Sequence, residues 1–407
     1  MPRPPLHTRR YVPAFDGLRA VLVGGVIAYH LSGARLPSAT GEVSVIAFFS
    51  LSGFLITFLL ADEHRSTGTI RIGDFLRRRA VRLLPALGLL LVVWGVVATI
   101  FRGDPWVTAV PGGGPGGPIS LATIGETVAA AALYVTNWID ALVQFNLWSG
   151  YSPLGHLWSL AVEEQFYLVW APVMAVLLKT KRAGLWISVL AVACLSEPAL
   201  LYHQGTNRVY FGTDTRMSAL LVGAAFGWWW RSGRLARLES SRATAVLGAG
   251  SVAALVVAGT GFRHPDVGWQ WVGGIVLASL AGTGLVVFLA SRDDSGGVAG
   301  LLGRPLMVWL GRRSYAIYLW GYVFNTWFRS LGPACPALVL TCTVVAAEVS
   351  QRLVEQPAHA WMSKWQRHRR RARHPGVVDR RPAPLSPSAA LAPPPVVAGP
   401  ELVLADG

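Results

Sequence analysis

Apolar residues gather into eleven blocks along the chain, roughly 15–33, 43–61, 83–101, 120–138, 157–178, 184–201, 211–230, 243–262, 271–290, 307–329 and 334–354. Blocks of about twenty residues match the length an α-helix needs to cross the hydrocarbon of a bilayer. The segments between them are short, and several are basic: Arg77-Arg78-Arg79 with Arg82, residues 179–182, residues 231–242, Arg312-Arg313 and residues 367–373. Lys and Arg collect on the cytoplasmic side of membrane proteins, so these segments orient the helices. With the N-terminus inside, as Arg3, Arg9 and Arg10 indicate, the third block emerges outside. Block 157–178 leads into Lys179, Lys181 and Arg182 and therefore enters from outside. The block between them, 120–138, has no second side to reach; it is alanine-rich and interrupted by Glu126, Thr136 and Asn137. It is expected to be a re-entrant or surface-lying helix. The pattern predicts an all-α, polytopic membrane helix bundle with about ten transmembrane helices plus one non-spanning helix. Both termini are expected in the cytoplasm and the whole in the cell (plasma) membrane.

Composition agrees with that class. Of 407 residues, 53% are hydrophobic and 14% charged, against about 25% charged in soluble domains. The net charge of +15 sits between the apolar blocks and in the last segment, which fits membrane sidedness rather than nucleic-acid binding. Cys194, Cys335 and Cys342 lack metal-ligand spacing, so neither a metal nor a disulfide framework is expected. The first block is broken by Asp16 and Arg19 and does not read as a cleavable signal peptide. The glycine-rich stretch 112–117 lacks the Lys-Ser/Thr ending and the preceding strand of a phosphate loop, and reads as an external linker. Residues 1–362 form the membrane domain; 363–407, basic and then Pro/Ala-rich, read as a disordered cytoplasmic tail.

Ionisable groups on membrane spans are costly, face the protein interior and mark functional paths. Arg19 and His30 are eleven residues apart, about three helical turns, so they share one face some 16 Å apart. Arg78 and Arg82, four apart, share a face at the inner end of the third block, and guanidinium forks suit phosphate. The richest stretch is His156 to Tyr167. Ser159, Glu163 and Tyr167 are spaced by four on one face, and Glu164 points about 100° away. Asp214 and Arg216 open the block at 211–230 and suit an ion pair with each other or with neighbours. The small residues Ser50, Ser52 and Gly53 favour close helix packing. By depth, Arg19, Arg78, Arg79 and Arg82 lie near the inner face, whereas His30, Glu163, Glu164, Asp214 and Arg216 lie in the outer half. A basic, phosphate-type site inside and an acid/base site further out suit an enzyme that takes an anionic donor from the cytoplasm.

At these residues the chain resembles acyltransferase family 3, multi-pass membrane enzymes that acylate hydroxyl groups. The likeness rests on Phe15-Asp16-Gly17-Leu18-Arg19 with His30, on Phe49 to Thr57, and on Arg78-Arg79-x-x-Arg82-x-x-Pro85. It continues through Asn137-Trp138, His156 to Tyr167, Asp214-Thr215-Arg216, Gly311-x-x-Ser314-Tyr315-x-x-Tyr318-Leu319-Trp320 and Glu355-x-Pro357, in the family's order. The resemblance implies ten membrane helices and an acyl-CoA co-substrate, with no tightly bound cofactor. It implies His30 as the essential base, Arg19, Arg78, Arg79 and Arg82 as donor contacts, and a site shaped by the Glu163 region. One departure follows Tyr-Leu-Trp, where the family often has a histidine, an aromatic and a proline; here stand Gly321, Tyr322 and Val323. Some members carry a fused extracytoplasmic hydrolase-like domain. The tail after 362 has no room for one, so a second acyl-handling protein would be separate.

The expected reaction is O-acylation, acetyl by default, of a hydroxyl on a glycan, glycolipid or secondary metabolite such as a macrolide. His30 acts as general base, Glu163 orients its imidazole, and Asp16, Ser159, Glu164, Tyr167, Asp214 and Arg216 belong to the substrate pocket. The alternative is a transporter or exporter using His30, Glu163 and Asp214 as a proton path. No inverted repeat or paired broken helices favour it. The motifs carry no reading of oligomeric state.

Overall fold

In the computed structural model, residues 11–32, 36, 39–104, 107, 119–142, 154–239, 241–261, 268–292 and 296–373 are described. The N-terminal arginines, the glycine-rich linker and the Pro/Ala-rich tail all lie outside these residues. The chain divides into two units, Met1–Ala360 and Trp361–Gly407. The first holds the helix bundle; of the second, the described residues 361–373 are helical.

Every regular element among the described residues is helical. In order these are α1 (Pro13–Leu31), α2 (Ala39–Thr67), α3 (Ile72–Ile100), α4 (Leu121–Ala132), α5 (Thr136–Leu142), α6 (Leu157–Leu177), α7 (Ala183–Leu201) and α8 (Thr206–Phe211). They continue as α9 (Thr213–Arg231), α10 (Arg242–Gly261), α11 (Gly268–Ala290), α12 (Gly297–Leu302), α13 (Pro305–Arg312), α14 (Ser314–Trp327) and α15 (Cys335–Ser350). A π turn at Gln351–Glu355 follows.

Among the described residues, eight helices are long and apolar enough to cross a membrane: α1, α2, α3, α6, α7, α10, α11 and the one that begins at Cys335. The other two expected crossings fall on α9 and on α13–α14. α9 has 19 residues but carries Asp214, Arg216 and Arg231, and the block at 307–329 breaks at Arg313 between two shorter helices. α4 covers 12 residues, about 18 Å, and is too short to span the hydrocarbon. Its Ser120 N-cap accepts from the Thr123 amide at 3.0 Å, so it starts where the chain leaves the glycine-rich segment.

α2 is the hub and packs on α1, α9, α10 and α11. Its closest neighbour is α9, and glycine sets the separation. A Cβ on Gly53 would stand 1.8 Å from the Leu220 carbonyl oxygen, and one on Gly223 would stand 2.1 Å from that of Ser50. Without Cβ atoms the two backbones touch, as small-residue stripes allow between membrane helices. Around this pair the buried residues Phe49, Ile56, Leu60, Val162, Phe166 and Leu220 form the largest core cluster. α1 opens with Pro13 in its first turn, where a missing N–H costs nothing, and buries Phe15, Leu18, Leu22 and Val26. That leaves Arg19 and His30 on the edge of its buried face.

Candidate active site

His30 ends α1. Its Nδ1 lies 2.7 Å from the Val26 carbonyl oxygen, one turn back. A carbonyl only accepts, so Nδ1 carries the proton and Nε2 keeps its lone pair. The ring lines a small cavity with Val26, Ile27, His156, Tyr318, Tyr322 and Asn325. Tyr322 stands edge-on to His30 at 4.8 Å between centroids and stacks on His156 at the same separation. Tyr318, Tyr322 and Asn325 come from one face of α14, at spacings of four and three. The Tyr318 hydroxyl lies 2.6 Å from the His156 carbonyl oxygen and 2.6 Å from Ser159 Oγ. Three helices therefore meet at His30: the end of α1, the start of α6 and the middle of α14.

Further in, a second polar cluster forms between α1, α2, α3 and α6. The Glu163 carboxylate accepts from Ser52 Oγ at 2.5 Å and from the Tyr167 hydroxyl. Arg79 lies over the Tyr167 ring, 3.7 Å from its centroid. Glu164 neighbours Arg79, Glu163 and Arg82, and its Oε1 is buried without a hydrogen-bond partner. Arg82 feels the charges of both Arg19 and Arg79, and no hydrogen bond or ion pair among the described residues engages it. Arg19 is held by Asp16 at 2.8 Å, and Asp16 also accepts from the Tyr11 hydroxyl at 2.9 Å. Of the three guanidiniums drawn together here, Arg82 has no hydrogen-bonded partner among the described residues, and such a group can engage an anion.

Two helices join the clusters. On α1, Arg19 lies at the inner cluster and His30 at the cavity. On α6, Tyr167 lies at the inner cluster and His156 at the cavity. Both pairs are eleven residues apart, about 16 Å of helix, and the helices run in opposite directions. Between them Ser159, Glu163 and Tyr167 form the polar face that their spacing predicts.

The expected residues divide accordingly. Arg19, Arg79, Arg82, Glu163, Glu164 and Tyr167 come together; Ser159 belongs with His30. Glu163 and Glu164, expected in the outer half with His30, join the arginines instead. They lie seven and eight residues into a helix that enters from the cavity, which carries them roughly 10–12 Å inward. Glu163 is engaged by Ser52 and Tyr167, so the group that orients the His30 imidazole is the Val26 carbonyl and not a carboxylate. Arg78 leaves the cluster: it is exposed and pairs with Glu63 at 3.2 Å. Asp16 serves as the clamp on Arg19 rather than as pocket lining. Asp214 makes a two-pronged pair with Arg208, at 2.8 and 2.5 Å, and this hydrogen-bonded carboxylate holds the Arg208 guanidinium above its ordinary pKa. Arg216, 1% exposed, is engaged by Glu42 at 2.7 Å and by the Tyr210 carbonyl at 2.5 Å. Asn137-Trp138 is structural: Asn137 donates to the Phe211 carbonyl and Thr213, and Trp138 Nε1 to Gln165. His156, Tyr318 and Tyr322 stand in motifs that the sequence marks out but were not among the expected site residues. The available signal was the position of His156, one turn before Ser159 on the polar face of α6.

A family profile described as "Acyltransferase domain" matches residues 12–349. The chain is 33% identical over 371 residues to the O-acetyltransferase OatA of Staphylococcus aureus strain NCTC 8325, covering 86% of this chain and 58% of the relative. The OatA of strain COL matches with the same identity and coverage. The chain thus spans somewhat over half the length of the curated relatives it matches. No solved structure matches.

Proposed function

The chain belongs to the acyltransferase domain family, and on that premise we propose that it is a membrane O-acetyltransferase drawing acetyl groups from cytoplasmic acetyl-CoA. The observation that carries this reading is the pairing of an arginine cluster, in which Arg82 has no hydrogen-bonded partner among the described residues, with a histidine cavity about 16 Å away along α1 and α6. That distance equals about five extended residues of chain, the scale of a stretched pantetheine arm. Arg19, Arg79 and Arg82 would hold the phosphates of the donor, with Glu163 and Tyr167 fixing Arg79. The arm would lie along the polar face of α6 and bring the thioester to His30. His30 Nε2, set as acceptor by the Nδ1–Val26 hydrogen bond, would take the proton of the acceptor hydroxyl as it attacks the thioester carbonyl. The acceptor class we favour is a hydroxyl of a sugar or sugar-bearing metabolite, whose ring face would stack on an aromatic wall and whose other hydroxyls would meet the polar side chains that line the cavity.

The test is thioester turnover by purified protein in detergent, with labelled acetyl-CoA and simple sugar acceptors. Wild type is expected to release CoA and to label the acceptor. His30→Ala is expected to lose both while still binding acetyl-CoA. Neither binding nor turnover in the wild type would return the chain to the transport reading.

A further inference from the structure

Among the described residues, His156 is the one histidine that combines deep burial, a place in a cavity wall and a ring without hydrogen bonds. It is 4% exposed, and neither Nδ1 nor Nε2 has a hydrogen-bond partner. The Leu319 backbone lies beside the ring but outside hydrogen-bonding geometry. Leaving a buried polar group unpaired is costly. Such a group is retained where a ligand completes it. The backbone of His156 is well anchored: its carbonyl accepts from Tyr318, and the ring is stacked on Tyr322. The same Tyr322 ring stands against His30, so the two imidazoles pack against one aromatic ring and line one cavity. The Tyr318 hydroxyl is already committed to the His156 carbonyl and Ser159. His156 therefore supplies a buried, uncommitted donor in the cavity.

Resting on the acetyltransfer reading above, we propose that His156 is a second catalytic residue: its ring N–H donates to the carbonyl oxygen of the bound thioester and stabilises the oxyanion formed there. The step balances. The acceptor O–H loses its proton to His30 Nε2, and its oxygen bonds to the thioester carbon. The carbonyl electron pair moves onto oxygen, which His156 N–H receives. The carbonyl re-forms, the C–S bond breaks, and the departing CoA thiolate takes the proton back from His30. The products are ester and free thiol, with both imidazoles returned to their starting state. A preplaced donor in a water-poor cavity suits this role, because it needs no reorganisation as charge develops.

The experiment compares wild type, His30→Ala, His156→Phe and His156→Asn for acetyl-CoA turnover, acetyl-CoA binding and thermal unfolding. Phenylalanine keeps the stacking on Tyr322 and removes the N–H; asparagine keeps an N–H donor. Removing one oxyanion donor lowers kcat by roughly 10²- to 10³-fold. His156→Phe is expected to show that loss with KM for acetyl-CoA within about twofold of wild type. His156→Asn is expected to recover at least tenfold of it. Turnover by His156→Phe within threefold of wild type, beside an inactive His30→Ala, overturns the proposal and leaves the acetyltransfer reading standing. If His156→Phe does not fold, His156→Asn decides: loss as complete as in His30→Ala with acetyl-CoA binding intact overturns it. Absence of turnover in the wild type overturns both.

Discussion

Two arginines one turn apart on α3 have opposite fates. Both are exposed, but Arg78 is paired with Glu63, whereas Arg82 lies near Arg19 and Arg79 with no hydrogen-bonded partner among the described residues. An exposed pair contributes at most about 1 kcal/mol. A charge-assisted hydrogen bond to a phosphate is worth about 1.5–3 kcal/mol, or ten- to hundredfold in affinity. Arg82→Ala is therefore expected to raise KM for acetyl-CoA at least tenfold, and Arg78→Ala less than threefold, as read from initial rates across a range of donor concentrations. Equal effects would remove the distinction drawn between them. Arg19 and His30 were legible from their spacing alone, because an eleven-residue interval is a helical repeat wherever the helix sits. The separation of Arg78 from Arg82 was not, because it depends on where Glu63 of the preceding helix comes to rest.

At the scale of elements, the contact between α2 and α9 carries the architecture. Gly53 meets the Leu220 carbonyl and Gly223 the Ser50 carbonyl, backbone against backbone, so no side-chain rotation relieves an added group. Overpacking of this kind costs about 1–3 kcal/mol. Gly223→Leu is expected to lower the unfolding temperature in detergent by several degrees or to prevent accumulation of folded protein, while Gly88→Leu, with open space around it, is expected to leave it unchanged. The same helix carries Arg216, 1% exposed against Glu42. Removing one member of a buried ion pair costs about 3–5 kcal/mol by leaving the other charge unpaired. Glu42→Ala is thus expected to destabilise more than Asp214→Ala, whose partner Arg208 is more exposed. A reversed order in thermal unfolding would show that Glu42 is not the main counter-charge of Arg216. The tight approach at Ser50 and Gly53 was readable as small residues on one helix. The partner, α9, was not, since nothing local to α2 names it.

For the whole molecule, the basic segments predict which side each loop faces. In a variant free of the three native cysteines, Ser120→Cys at the start of α4 is expected to react with an impermeant maleimide from outside intact cells. Ser66→Cys, at the end of α2, is expected to react only after permeabilisation. The opposite pattern would invert the topology and place the arginine cluster away from cytoplasmic acetyl-CoA. Apolar block length, basic segments and the order of short polar motifs sufficed for the class, the all-α bundle, the non-spanning length of α4 and the shared helix face of Arg19 and His30. These are local properties, set by helix repeat, bilayer thickness and the cost of burying charge. Only the tertiary structure decided that Glu163 and Glu164 join the arginines and not His30, that a backbone carbonyl orients His30, and that His156 and Tyr322 share its cavity. Those outcomes depend on how far each helix is translated along its neighbours. That translation is set by long-range packing at positions such as Gly53 and Gly223, where a pattern read along one chain segment carries no record of the segment it will meet.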